Sequence, residues 1–285
     1  MLKTAVVKVS FKETPGRLAE MVSALRSFGT QEVHLVHVRT SGAGRTFPEK
    51  KRAQLERIRQ KAQDLGLAAE VHILDGHPPT RVLQAVWQLG ADYIAIAWVH
   101  KAVLRQALLG SIDGDIVRMS DSPVFIFKHR VLGRTEALDS VLYATDFQAT
   151  DARVMPYLKN REFQARALHM LHVGERAPDP TTDRKRREVI LANLSRLASE
   201  CAHAYERIDT LETVGPVGRN IVRTAKTTGV DLVIVGKVDN PDNMLKKLTG
   251  SVADQLPHRA PCSVFIIPGY RQNGRTESQD GREAA

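Results

Sequence analysis

Cysteine, aromatic residues and long apolar runs are all scarce in this 285-residue chain. Cys201 stands in a helical pattern and Cys262 follows a proline beside an apolar run, so neither a disulfide framework nor a cysteine metal cluster is indicated. Both thiols are expected to be buried and inert. No stretch approaches the roughly 20 apolar residues that a bilayer-spanning helix requires. The opening Met1-Leu-Lys-Thr-Ala-Val-Val-Lys8 runs straight into a strand pattern without a signal-peptide core. A cytoplasmic location without membrane insertion is therefore expected. Also missing are a nucleophile elbow, a Walker loop ending in Gly-Lys-Ser/Thr, and the His-Cys-Glu signature of deaminases. A binding or regulatory protein is expected rather than an enzyme.

Charge is present in excess, and it is basic. Of the formal net +9, +7 falls in residues 1–130, concentrated at Lys50-Lys51-Arg52, Arg57, Arg59 and Lys61. These lie on a helical pattern with Leu55 and Ile58 facing inward, which reads as a solvated face. Aromatic residues make up 5% of the chain, and none interleaves with these cations to stack bases, which disfavours nucleic acid as a partner.

The chain repeats itself. Val33-His-Leu-Val-His-Val38 returns as Leu168-His-Met-Leu-His-Val173, and Leu109-Gly-Ser-Ile-Asp-Gly-Asp115 returns as Thr249-Gly-Ser-Val-Ala-Asp-Gln255. A repeat of this length is a domain, not a solenoid unit. Two domains are expected, 1–130 and 131–270, joined by a linker at 131–138 and followed by a mobile tail at 271–285.

Within the first copy, apolar runs at 4–9, 32–38, 69–74, 93–97 and 123–127 read as strands separated by helical patterns. The second copy places its strands at 140–144, 167–173, 207–212, 232–236 and 263–267. Such alternation implies parallel pairing with right-handed crossovers, hence an α/β sheet with helices on both faces. Trp87 fits the inward face of its helix beside Val82, Leu83 and Val86. The pairs His34/His37 and His169/His172 resemble metal ligands, but an offset of three on a strand sends the side chains to opposite faces. His77 and His100 read as solvated loop residues near the first crevice.

In a sheet of this kind the ligand lies beyond the carboxyl ends of the strands where strand order reverses. In the second copy that region offers Ala144-Thr-Asp-Phe147, the strand end at Gly236, and Gly250-Ser251 opening the last helix. Glycine allows close backbone approach, serine adds a hydroxyl, and free helix-start amides favour an anion.

The Thr-Asp-Phe after a first strand, Gly215-Pro216, Asp231-Leu-Val-Ile-Val-Gly236 and Gly250-Ser251 together resemble the universal stress protein family in tandem arrangement. Weaker counterparts appear as Gly76-His77-Pro78, Asp92-Tyr-Ile-Ala-Ile-Ala97 and Gly110-Ser111, so the likeness spans nearly the whole chain. It implies two Rossmann-like domains of the adenine nucleotide alpha hydrolase type, each a five-stranded parallel sheet of order 3-2-1-4-5. It also implies intrachain pairing of the domains through their last strands, with a homodimer of chains left open. ATP-binding members carry Gly-x2-Gly-x9-Gly-Ser/Thr. On that basis Asp146 meets adenine, Val173 offers its backbone to the base, and Gly236, Gly250 and Ser251 hold ribose and phosphates. The middle glycine is here Asp239, which calls for Mg or for Lys237, Lys246 and Lys247 to offset its charge. In the first copy Ser10, Ala97 and His100 replace the acid and two glycines, so ATP is expected in the second domain only. Any hydrolysis would be slow and incidental.

The expected role is a stress-response regulator sensing adenine nucleotide and displaying a surface to a protein partner. The alternative is a nucleotide-independent scaffold that docks an acidic protein or nucleic acid through the basic first domain.

Overall fold

A computed structural model of the chain describes residues 1–40, 46–99, 111–128, 138–148, 150–176, 178–237 and 252–269. The proposed linker, apart from Leu138, and the proposed tail lie outside these residues. The first half comprises β1 Thr4–Lys8, α1 Pro15–Leu25, β2 Glu32–Arg39, α2 Glu49–Asp64, β3 Ala68–Asp75, α3 Pro78–Gln88, β4 Tyr93–Ala97, α4 Ile112–Met119 and β5 Val124–Phe127. The second comprises β6 Ser140–Thr145, α5 Asp151–Lys159, β7 Ala167–Gly174, α6 Pro180–Cys201, β8 Arg207–Val214, α7 Val217–Thr228, β9 Leu232–Lys237, α8 Val252–Arg259 and β10 Ser263–Pro268.

All ten strands join one sheet in the order β3-β2-β1-β4-β5-β10-β9-β6-β7-β8. Each half is parallel and runs 3-2-1-4-5, and the halves meet through the antiparallel pair β5–β10, with Phe125 opposite Phe265. The central strands are buried on both faces because helices cover both. Leu18, Leu55, Ile58, Val154 and Leu194 from α1, α2, α5 and α6 pack one face. Val82, Val86, Ile116, Ile221 and Leu256 from α3, α4, α7 and α8 pack the other.

The junction between halves is apolar at its centre. Phe28, Phe125, Phe163 and Phe265 meet edge to face, with centroids 4.8 Å apart for Phe28–Phe125 and 5.0 Å for Phe163–Phe265. Its rim is fixed by two buried lysines that reach across. The Lys128 ammonium donates to Ala260 O (2.6 Å) just past α8, and the Lys237 ammonium donates to Val117 O and Arg118 O in the last turn of α4. Cations at helix C-termini complement the carbonyl groups left over there. Lys237 is thereby committed to the first domain, which corrects its expected inward role at the second crevice. Lys246 and Lys247 lie outside the described residues.

Trp87 is a second correction, at 84% exposed. The inward stripe of α3 is Val82, Ala85 and Val86, and the next residue turns about 100° away from it. The remaining expectations on burial are met: Leu55 and Ile58 are buried beneath the cations of α2. Cys201 and Cys262 are buried too, and burial pushes their thiols up to about 11 and about 12.

Candidate functional site

Strand β6 lies between β7 and β9, so the sheet order of the second domain reverses there. Its last pairs are Thr145↔His172 with β7 and Ala144↔Val235 with β9. Val173 and Gly236 each stand one residue past those pairs, and Asp146 follows β6 directly. Three of the five expected residues therefore meet at one carboxyl edge, around the switch point where α/β sheets bind ligands. Gly250 and Ser251 lie outside the described residues, as does Asp239. The last helix, α8, starts at Val252, immediately after Ser251.

Local geometry explains how the Asp146 loop holds its shape. Asp146 is exposed, and its Oδ1 accepts from Gln148 N and Thr150 Oγ1, both at 3.0 Å. Phe147 has a left-handed backbone (φ 59°) and stacks on His172, with centroids 4.3 Å apart. His172 Nδ1 faces Thr145 O at 3.0 Å, and since a carbonyl can only accept, that nitrogen carries the proton. Beneath the loop, the buried Asp151 carboxylate accepts from Tyr143 OH and Thr145 Oγ1. Burial raises the pKa of Asp151 in spite of these hydrogen bonds.

Gly236 sits against this loop. A Cβ there would come 2.6 Å from Thr150 Cβ, closer than packed carbons approach. The glycine is thus required so that the Thr150 side chain can dock, and the docked Thr150 supports Asp146. Sequence reasoning missed Thr150 and Asp151, although Thr145-Asp146 followed by Thr150-Asp151 repeats a hydroxyl–carboxylate pair that signals a capped loop. It also missed Arg186, whose guanidinium lies where a Cβ on Gly174 would project.

The equivalent crevice of the first domain is filled. Ser10 donates from both N and Oγ to Glu13, at 3.1 and 2.7 Å. Glu13 is buried, and Lys8 Nζ stands 3.7 Å from its Oε1 and 2.6 Å from Asp113 Oδ1. Asp113 lies in the first turn of α4, whose N-cap Ser111 accepts from Gly114 N at 3.0 Å. A carboxylate already occupies the anion-favouring end of that helix. Ala97 is fully buried, and His100 and Gly110 lie outside the described residues. Phe11 (φ 61°) also packs on His37, here edge to face with centroids 4.6 Å apart, and His37 Nδ1 donates to Val9 O at 2.9 Å. This accounts for the repeated second histidine of each pair as a fastener between the first two strands.

The profile of the universal stress protein family matches the chain twice, at residues 1–128 and 138–268. The chain belongs to the universal stress protein family. A universal stress protein of Methanocaldococcus jannaschii is 22% identical over 157 residues, 46% of this chain and 97% of that protein. A universal stress protein from Archaeoglobus fulgidus superimposes with a TM-score of 0.71 at 21% identity, covering 94% of this chain and 97% of its own. A second structure, of a putative universal stress protein from Pseudomonas aeruginosa, gives a TM-score of 0.67 at 16% identity, covering 94% of each chain. Identities this low carry the fold, which in this universal stress protein is the tandem Rossmann-like pair. No helix among the described residues is long and apolar enough to cross a membrane.

Proposed function

We propose that this universal stress protein is a regulator that binds adenine nucleotide, with Mg, in the second-domain crevice, while the first domain acts as its structural partner. The observation that carries this reading is the meeting of Asp146, Val173 and Gly236 around the end of β6. In the reading, Asp146 contacts the adenine, the Val173 backbone meets the base, and Gly250 and Ser251 take the phosphates. Nucleotide would approach Gly236 from the side away from Thr150. By bridging the β6 loop and the start of α8, it would change the surface offered to a protein partner. The filled first crevice supports placing the nucleotide in the second domain alone.

The basic-helix alternative is weakened by where its cations go. Lys51 lies 5.0 Å over the Phe11 ring, Arg52 lies 5.9 Å over Phe47, and Arg59 pairs with Glu56.

Isothermal titration of the full chain with MgATP tests the proposal. One site per chain is expected, weakened roughly tenfold or more by Asp146→Ala, a loss of about 1.4 kcal/mol, and by Gly250→Val. Absence of heat from the wild type, or equal binding by both variants, overturns it. Charge reversal at Lys51 and Arg52 should leave the titration unchanged. RNA or DNA binding that falls steeply with salt and is lost on that reversal would instead support the alternative.

A further inference from the structure

The first histidine of each repeated pair has no part in the crevice. His34 is buried on the α3 face of β2, and its neighbours come from the edge strand β3. Its Nδ1 lies 3.1 Å from His72 Nε2, and Glu70 Oε2 lies 3.8 Å from the first nitrogen and 3.5 Å from the second. Glu70 and His72 are two residues apart on a strand, hence on one face, and His34 pairs in register with Glu70.

We propose that His34, Glu70 and His72 form a divalent-metal site of the zinc class, which ties edge strand β3 to β2 in the first domain.

The argument is geometric. A circle through the three ligand atoms has a radius of about 2.0 Å, and zinc bonds to imidazole nitrogen and carboxylate oxygen are about 2.0–2.1 Å long. A cation at the centre of that circle stands at bonding distance from all three donor atoms, so only side-chain rotation is needed to aim them at it. Two imidazoles and one carboxylate form a borderline donor set suited to zinc, with solvent completing the coordination beside the exposed Glu70. Glu32 Oε1 lies 3.6 Å from the far nitrogen of His34, so a small side-chain adjustment would make it the outer carboxylate that orients a metal-bound histidine. Without a cation, Glu70 is too distant from either ring for a good hydrogen bond.

The second domain supplies an internal control. There His169 pairs in register with Asp209, as His34 does with Glu70, but Leu211 occupies the position of His72 and Ala167 that of Glu32. Asp209 Oδ2 is shared by His169 Nδ1 and Arg207 Nε, both at 3.2 Å. There an arginine side chain supplies positive charge to the carboxylate that the histidine shares.

The test is zinc chloride titration of the tag-free full chain, in competition with a chromophoric chelator, repeated with cobalt(II) to read the visible bands of a tetrahedral site. Wild-type and His169→Leu protein are expected to bind one ion per chain at the first domain and to gain thermal stability from it. Glu70→Ala and His72→Leu should each weaken binding about tenfold or more, lose the cobalt bands and lose the zinc-dependent stabilisation. His72→Leu installs the residue the second domain already carries. Should that variant fail to fold, Glu70→Ala decides, because the Glu70 side chain is 64% exposed. No zinc binding by the wild type, or affinity and bands unchanged in Glu70→Ala, overturns the proposal.

Discussion

At the end of β1 the first domain places Lys8, Glu13 and Asp113, three charges that satisfy one another. At the end of β6 the second domain places Ala144 where Lys8 would be, and its Asp146 stands exposed at the rim. The topology of the two positions is the same, so the difference is one of side-chain allocation. Charges turned inward hold β1, α1 and α4 together, and among the described residues they are spent on one another. In the second domain the corresponding fastening is made by neutral hydroxyls, Tyr143 and Thr145 donating to Asp151, and by Thr150 docked on Gly236. That choice leaves a carboxylate and a strand end facing the crevice. The same position in the fold can thus serve as structural framework in one domain and present a carboxylate to solvent in the other.

The largest effect is expected from breaking the inward-turned cluster. Lys8→Met leaves Glu13 buried without its ammonium neighbour, and removing one partner of a buried ion pair costs about 3–5 kcal/mol. Ser10 still donates twice to Glu13, which favours the lower end of that range. Denaturant unfolding followed by tryptophan fluorescence reads this loss, because Trp87 and Trp98 both lie in the first domain, Trp98 packed on His258 of the second. MgATP binding at the second crevice should survive in the folded fraction. A neutral result would mean that the cluster contributes no net stability and that the two crevices differ less than their contacts suggest.

Next in size is Gly236→Ala. Its new Cβ meets Thr150 Cβ at 2.6 Å, and overpacking of this kind costs about 1–3 kcal/mol. The first domain tolerates a Cβ at the matching Ala97 because the matching threonine, Thr14, is an exposed N-cap of α1 rather than a docked side chain. The substitution should therefore destabilise the second domain and loosen the Asp146 loop, seen as faster hydrogen exchange at residues 145–151. Unchanged exchange there would sever the link between Gly236 and Asp146.

Periodicity located each of the ten strands to within about two residues, since most of them carry an apolar run bounded by turn residues. The tandem organisation was equally legible, because the repeat survives in the residues themselves. Trp87 was misplaced because helical phase depends on which of several neighbouring apolar residues sets the stripe. The crevice residues Asp146, Val173 and Gly236 could be found from strand ends, whereas Thr150 could not, as its role depends on a glycine more than 80 positions away. The trio His34, Glu70 and His72 was hidden for a similar reason. His34 was weighed against His37, its neighbour in sequence, when its partners sit across a strand pairing whose register no local pattern reveals.

The finest test of the comparison is acidification. Burial lowers the pKa of His37 and His72 in the first domain and of His169 in the second. For each, the unfolded chain takes up its proton first, near pH 6.5. Their stabilisation is complete above that pH and is lost as pH falls below it toward the folded-state values. Asp151 and Asp231, both in the second domain, shift in the opposite sense, with folded pKa raised chiefly by burial. The folded second domain therefore holds protons that the unfolded chain has released, and it regains stability as pH drops toward the ordinary carboxylate range. The first domain should accordingly lose protection faster than the second between pH 7 and pH 5 in metal-free protein, measured by domain-resolved hydrogen exchange corrected for the intrinsic rate. Parallel loss in both halves would show that the titrating histidines do not set the acid limit, and that the domains unfold as one cooperative unit through the β5–β10 seam.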